Sequence, residues 1–397
     1  MTMASTDAYI YEALRTPRGR VRRDGGTLAG IPAYELFAGL LRELSARGVD
    51  AAAVEDVLVG VSTPHGEQGA GLAKVAVQAA EWPDTLPAGV VSRMCCSGLD
   101  AAASAAAQIR GGGAEIMVAG GAESMSRTPM FSDAPAMAID PVIGDFTGYV
   151  TIGVAADTMA AKFGFTRTQL DEFAAQSHRK TLDAPEWASL VPVVGDGEVV
   201  LDHDEGAREG TTVESLAELQ PLFSDDPLWA RVEERIEGFT RPPQGLHTVA
   251  TAPQLADGAS AILLGSERAQ QTLGRAPRGR IVSWAHTSVR SPGLWAGETA
   301  ARQALARAGL DLADIAVFEF NESFSVSPLL LTRQLGVDPE KVNACGGAVT
   351  VGHPLGASGG ILIANALDQL DRIGGGYGLL VIPAALGLAT ALVVEAL

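Results

Sequence analysis

The sequence predicts a layered α/β protein made of two halves of similar order, with a less regular segment set into the first. Three observations carry that reading. Short apolar runs alternate with amphipathic or Ala-rich helical stretches near both ends of the chain. The regularity lapses between about residues 123 and 247, and the alternation resumes after Ala259. The 46 glycines among 397 residues, with abundant Ala, suit elements that pack closely, as layered α/β proteins require.

Residues 8–14 read as a strand, followed by a basic loop with Arg15, Arg18, Arg20, Arg22 and Arg23. Leu36, Leu40, Leu41 and Leu44 share one face of a helix over 33–47. Val54–Val61 reads as a buried strand, Gly69–Ala80 as a small-residue helix, and Gly89–Met94 as a strand leading to a turn at Cys95. Ser97–Arg110 is an Ala-rich helix, and Ile116–Ala119 a strand ending at Gly120-Gly121. Within the irregular segment, Pro129, Pro135 and Pro141 interrupt the chain, Thr166–Ala184 is helical and Asp202–Thr212 is polar. The later strands are Ala259–Leu264, Ile281–Ala285, Val317–Phe320, Gly378–Ile382 and Ala391–Glu395; the later helices are Thr299–Ala308, Ser325–Leu335 and Gly359–Leu370. The similar length and order of the halves suggest an internal duplication.

The formal net charge of −18 and a pI near 4.7 argue against nucleic acid and anionic membranes, whose binding needs clustered Lys and Arg. Cys95, Cys96 and Cys345 are odd in number, and two are adjacent. That suits neither a disulfide framework nor a CxxC pair, and implies free thiols in a reducing cytoplasm. Met1–Ile10 lacks a basic start followed by an apolar core, so no signal peptide is expected. The most apolar run, Leu379–Val394, is broken by Pro383 and Gly387 and reads as buried strands around a turn, not a membrane span.

Three segments could carry chemistry. Cys95, in Met94-Cys95-Cys96-Ser97-Gly98, falls between a strand and a helix; unpaired N–H groups at a helix start favour thiolate. A buried structural thiol is the alternative reading. His353 lies in the glycine-punctuated loop Gly346–Gly359, where an imidazole can activate a thiol or donate to an oxyanion. Asn321 follows a predicted strand end in Asn321-Glu322-Ser323-Phe324, where it could hold a water or carbonyl, or cap a helix.

Taken together, the Cys95 segment, Gly121–Ser126, Asn321–Phe324, Gly352-His353-Pro354 and the opening Arg15–Gly19 resemble thiolases in order and spacing over nearly the whole chain. The resemblance implies a thiolase fold of two βαβαβαββ halves in five αβαβα layers. It places the N-terminal half at 1–122 plus 248–272, an inserted loop domain at 123–247 and the C-terminal half at 273–397. It further implies that Cys95 carries an acyl group as a thioester. His353 would activate Cys95 and, with a water held by Asn321, bind the substrate thioester oxygen. Arg208, Pro253 and Phe324 are the positions implied for coenzyme A contacts. Coenzyme A thioesters enter as substrates, with no permanent cofactor or metal, and a homodimer or homotetramer is expected.

The sequence also departs from the family pattern. Thiolases carry a second catalytic cysteine in a C-terminal Cys-x-Gly turn that moves the α-carbon proton. Pro383 and Ala385 occupy those positions here, and no cysteine follows Cys345. Ala385 retains a backbone N–H for an oxyanion hole, beside a turn constrained by Pro383. Cys96 stands where a small residue is usual, Pro253 where a serine touches the pantetheine arm, and Cys345 where Asn precedes Gly-Gly. Pro129–Tyr149 is short for the family and Ser224–Gly245 extended, both where an acyl chain would be enclosed. Two functional readings follow: an enzyme acylated at Cys95, with thiolysis, condensation or another acceptor completing the reaction, or a weakly active acyl-CoA-binding partner subunit.

Overall fold

The computed structural model describes residues 7–23 and 25–397. Most of the segment read as lacking a signal peptide, residues 1–6, lies outside the described residues. Twelve strands form among the described residues: β1 Ala8–Arg15, β2 Gly19–Arg20, β3 Asp56–Gly60, β4 Ala88–Val91, β5 Ile116–Ser124, β6 Val193–Gly195, β7 Glu198–Leu201, β8 Ala256–Gly265, β9 Gly279–Ser288, β10 Ile315–Phe320, β11 Gly376–Ala384 and β12 Leu388–Ala396.

Ten of these form one sheet, in which the same topology occurs twice. The first half runs β4-β3-β5-β8-β1 and the second β10-β11-β12-β9. In each half the two final strands are antiparallel neighbours and the last of them pairs with the first. The second half holds the place of β4 with a single bridge between Phe318 and Val342. The halves join where Ala8–Ile10 of β1 pairs with Gly279–Ile281 of β9.

Helix patterning explains the layers. Helix Ala33–Ala46 buries Leu36, Phe37, Leu40, Leu41 and Leu44 and turns Arg42 and Glu43 outward, as a helix on an outer face must. Helix Gly297–Ala308 covers the second half likewise, with Ala300, Ala301 and Ala304 inward. Helices Ser97–Arg110 and Ser358–Arg372 lie between the halves; every residue of the latter from Ser358 to Leu370 is buried. A helix covered on both sides has no polar stripe to keep, which accounts for the Ala, Gly, Ile and Leu there.

These central helices touch through backbone. A Cβ on Gly359 would lie 2.1 Å from the Leu99 nitrogen, and one on Gly98 2.7 Å from the Gly356 oxygen. Only glycine permits that approach. The same need explains one departure from the sequence reading. β5 continues through Gly120-Gly121 to Ser124, and those glycines serve close contact instead of ending the strand. A Cβ on Gly120 would lie 1.9 Å from the Ser260 oxygen, and one on Gly121 2.0 Å from the Gly356 oxygen.

The inserted segment carries helices Ile152–Lys162 and Arg167–Leu182, the latter opened by a Thr166/Gln169 capping box, and the β6–β7 hairpin. Val154, Leu170, Trp229 and Val232 from this segment pack with Phe324, Val326 and Leu330, anchoring it against the second half. Among the described residues no helix is long and apolar enough to cross a membrane.

Candidate active site

Cys95 and His353 occupy corresponding places, each in the turn that leads into the central helix of its half. On the first side, β4 ends at Val91, earlier than the sequence suggests, and the chain turns sharply with Met94 at φ 50°. Cys96 and Ser97 donate backbone N–H groups to the Arg93 and Met94 carbonyls at 3.0 and 3.1 Å. The Ser97 hydroxyl accepts the Arg93 N–H at 2.8 Å, which fixes the turn.

The Cys95 thiol is buried, and burial is the largest influence on it. The charges of Cys96 and Glu123 act in the same direction, raising its pKa well above the ordinary thiol value. Backbone N–H groups of Cys95 and Ala385 point at the sulfur and pull the other way. The helix-start position favours a thiolate. Burial is the larger of the two influences and favours the protonated thiol. Cys96 is fully buried, donates to the Ile382 carbonyl at 3.2 Å, and is pushed up to about 12 by burial. Its sulfur is engaged with the β11 backbone, away from the cavity lining.

His353 is buried, with its backbone N–H donating to the Gln254 carbonyl at 2.9 Å. Its Nδ1 lies 2.6 Å from the Ser358 hydroxyl and its Nε2 3.4 Å from the Asn321 amide nitrogen. Burial, followed by the charge of Arg18, pushes the imidazole down to about 3. It is therefore neutral, with Nε2 free to receive a proton when Nδ1–H faces Ser358. Asn321 donates to the Ser323 hydroxyl at 2.6 Å, and that hydroxyl donates to the Pro383 carbonyl at 3.2 Å. A polar chain thus runs from the Pro383 turn to the imidazole.

A buried carboxylate clamps the histidine loop onto the first half. Glu123, at the end of β5, accepts N–H groups from Ser62 at 2.7 Å and Gly356 at 2.9 Å, and the Gln68 amide at 2.6 Å. Glu322 plays a similar part in the second half, accepting from Val349 at 2.9 Å, Asn343 at 3.0 Å and Ser177 at 2.9 Å. Burial raises both carboxyls.

Cys95, His353, Ala385, Pro253 and Phe324 all line one cavity of about 330 Å³. Asn321 stands behind His353, and Pro383 is buried in β11 opposite Ala389, with only its carbonyl reaching the polar chain. Arg208 is elsewhere. It is exposed on a separate groove with Arg179 and Thr211, and its backbone N–H donates to His178 Nδ1 at 3.2 Å. Besides Cys95 and His353, the one titratable side chain lining the cavity among the described residues is Asp133, exposed at the rim. Glu322 does not line it. No group of three or more His, Cys, Asp or Glu among the described residues is placed to hold a metal.

Ser358, Ser323, Glu123 as a clamp, and Phe223 in the cavity wall escaped the sequence reading. Glu123 and Ser323 lie in the segments Gly121–Ser126 and Asn321–Phe324 and Ser358 beside the predicted helix start, but none was given a role; Phe223 left no trace.

Comparison with known proteins agrees with this architecture. Residues 8–227 match the family model for the thiolase N-terminal domain, and residues 275–396 that for the thiolase C-terminal domain. The chain is 33% identical to a beta-ketoadipyl-CoA thiolase of Pseudomonas knackmussii, covering 98% of this chain and 99% of that protein. It is also 33% identical to a 3-ketoacyl-CoA thiolase of Bacillus subtilis, covering 94% and 97%. The crystal structure of the Bacillus anthracis acetyl-CoA acetyltransferase superposes with a TM-score of 0.85 at 29% identity, over 99% of this chain and all of that one. The duplicated topology, the matched domains and these relatives place the chain in the thiolase family of acyltransferases acting on CoA thioesters.

Proposed function

We propose that the protein takes an acyl group from a CoA thioester onto Cys95 and passes it to an acceptor. One observation carries this reading: a buried thiol, a neutral imidazole and two inward backbone N–H groups open onto the same apolar cavity. The Cys95 proton moves to His353 Nε2 as sulfur attacks the thioester carbonyl. The oxygen that gains charge is met by the N–H groups of Cys95 and Ala385, so Pro383 leaves that donor usable. Collapse expels the CoA sulfur, which takes the proton back from the imidazole, and leaves an acyl thioester on Cys95. Asn321, held by Ser323, positions His353, the base. Pro253 and Phe324 face the cavity where the pantetheine arm would lie, and Arg208 remains a candidate adenine contact on the outer groove.

The second half of the reaction differs from ordinary thiolysis. Breaking or making a carbon–carbon bond needs a proton moved at the α-carbon, a step worth about a hundred- to ten-thousand-fold. Pro383 offers no ionisable group, Glu322 faces away from the cavity, and Asp133 is solvated at the rim. Acyl transfer to water or a non-CoA nucleophile is therefore favoured over thiolysis. Mass spectrometry after incubation with acetyl-CoA should show an adduct on Cys95, while steady-state acetoacetyl-CoA thiolysis should be slow. Turnover comparable with two-cysteine thiolases would overturn the acyl-transfer reading; no adduct would favour the partner-subunit reading. The domain division at 123 and 247, and assembly as a dimer or tetramer, belong to the same proposal. A monomer in light scattering at micromolar concentration would count against the latter.

A further inference from the structure

We infer that the cavity selects an uncharged, apolar acyl group and that Phe223 limits how long it can be, a reading that rests on Cys95 as the acyl carrier. The wall beside Cys95 is built from Met130, Phe131, Ile152, Phe223, Phe324 and Leu355. No Lys or Arg lines it among the described residues, and Asp133 at the rim is its one carboxylate. An acyl chain ending in a carboxylate would shed its water there without gaining a cation, which buried charge does not tolerate. Arg18, whose charge reaches His353, is committed to Asp204 at 2.9 Å.

The wall is held from behind, so Phe223 cannot easily swing aside. Its ring lies over Gly153 so closely that a Cβ there would come within 2.1 Å of its ring carbon. Phe223 meets Phe324 edge-to-face at 6.0 Å, and Phe324 meets His247 in the same manner at 5.1 Å. His247 Nδ1 is bonded to Asp157 Oδ1 at 2.6 Å, both fully buried, and Asp157 also accepts the N–H groups of Leu246 and His247. Phe324 itself is held at φ 102°, a conformation that a bulky residue keeps only when its surroundings impose it. A buried Asp–His pair thus braces two rings packed edge-to-face, and the outer ring sets the space left for the chain.

The test compares hexanoyl-CoA with adipyl-CoA, acyl chains of equal carbon count that differ at the far end. The full-length protein is acylated with each, with acetyl-CoA as reference, and the mass gain on Cys95 is followed in time. Hexanoyl should transfer at least about tenfold faster than adipyl. In Phe223→Ala the ratio of octanoyl to hexanoyl rates should rise by about tenfold or more. Phe223→Leu, gentler on folding, should move it in the same direction. Adipyl transfer matching hexanoyl while acetyl transfer proceeds would overturn the selection, and an unmoved chain-length ratio in both variants would overturn the role of Phe223. Equilibrium binding to Cys95→Ala, which cannot be acylated, separates this reading from the one beneath it. No labelling of the native protein by any thioester, with hexanoyl-CoA still bound more tightly than adipyl-CoA, would reject the acyl-enzyme and retain the selection. Equal binding of the two would reject the selection.

Discussion

The Nδ1 of His353 lies 2.6 Å from the hydroxyl of Ser358, the residue that begins the helix at the centre of the molecule. That contact holds the ring so that Nε2 faces Asn321 and keeps its lone pair. Ser358→Ala should slow acylation of Cys95 roughly ten- to a hundredfold, with Ser358→Thr recovering most of the rate. Stopped-flow acylation by acetyl-CoA reads this directly. An unchanged rate in Ser358→Ala would show that the imidazole is oriented by other contacts.

The two adjacent cysteines should behave oppositely. Cys95→Ser should abolish the acyl adduct, because a hydroxyl is a far weaker nucleophile than a thiol. Cys96→Ser should retain it, since that side chain is engaged with the Ile382 carbonyl and Thr390, away from the cavity lining. Peptide mapping of the two variants after acetyl-CoA treatment decides between them, and similar labelling of both would remove Cys95 from its assigned role.

Thiol reactivity should follow the raised pKa of Cys95. Because burial favours the protonated thiol and the imidazole is already neutral, alkylation by iodoacetamide should be slow at neutral pH. It should keep rising past the ordinary thiol pKa of about 8.5. A plateau below neutrality would instead reveal a thiolate–imidazolium pair.

Glu319 gives a stability prediction with a definite sign. Burial and the neighbouring Glu322 raise its carboxyl to about 7, against the opposing hydrogen bond from Gln369 at 2.7 Å. The folded state therefore binds this proton more tightly than the unfolded chain. The associated stability is fully present below the ordinary carboxyl value of 4.5 and is lost as pH rises through about 7. Glu319→Gln, which mimics the protonated form, should stabilise the protein at pH 8 by on the order of 1–3 kcal/mol and have little effect near pH 4.5. Urea melts at the two pH values measure the difference, and an equal effect at both would contradict it.

Gly359→Ala should be costly because its methyl would meet the Leu99 nitrogen at 2.1 Å. We expect a loss of about 2 kcal/mol or more. A further fall in acylation rate should persist at temperatures where the variant is fully folded, since the thiol and imidazole would shift relative to each other. Near-native stability with native rate would show that the contact relaxes freely.

Local chemistry made part of this structure legible. Helix Ser97–Arg110 was readable to the residue because a turn rich in small residues precedes it and Gly111 follows. The helical spacing of Leu36, Leu40, Leu41 and Leu44 identified the helix over 33–47. Gly120-Gly121 misled, since a glycine needed for a neighbour's approach looks in sequence like one that ends a strand. The burial that raises the Cys95 thiol was hidden because desolvation depends on the whole fold around it, and a helix start is only its nearest part. Phe223 was invisible as a cavity residue because its partners, Gly153 and Phe324, lie far from it along the chain.

The repeated topology also bears on how this chemistry could have arisen. Each half contributes one central helix, and the turn before it holds a thiol in one case and an imidazole in the other. A single half, taken alone, has one member of the pair and no wall opposite it. If the halves descend from one ancestral unit, the division of labour between them postdates the copying of that unit. Descent with divergence then acted on the two turns separately, while the glycine contact between the helices had to be kept by both.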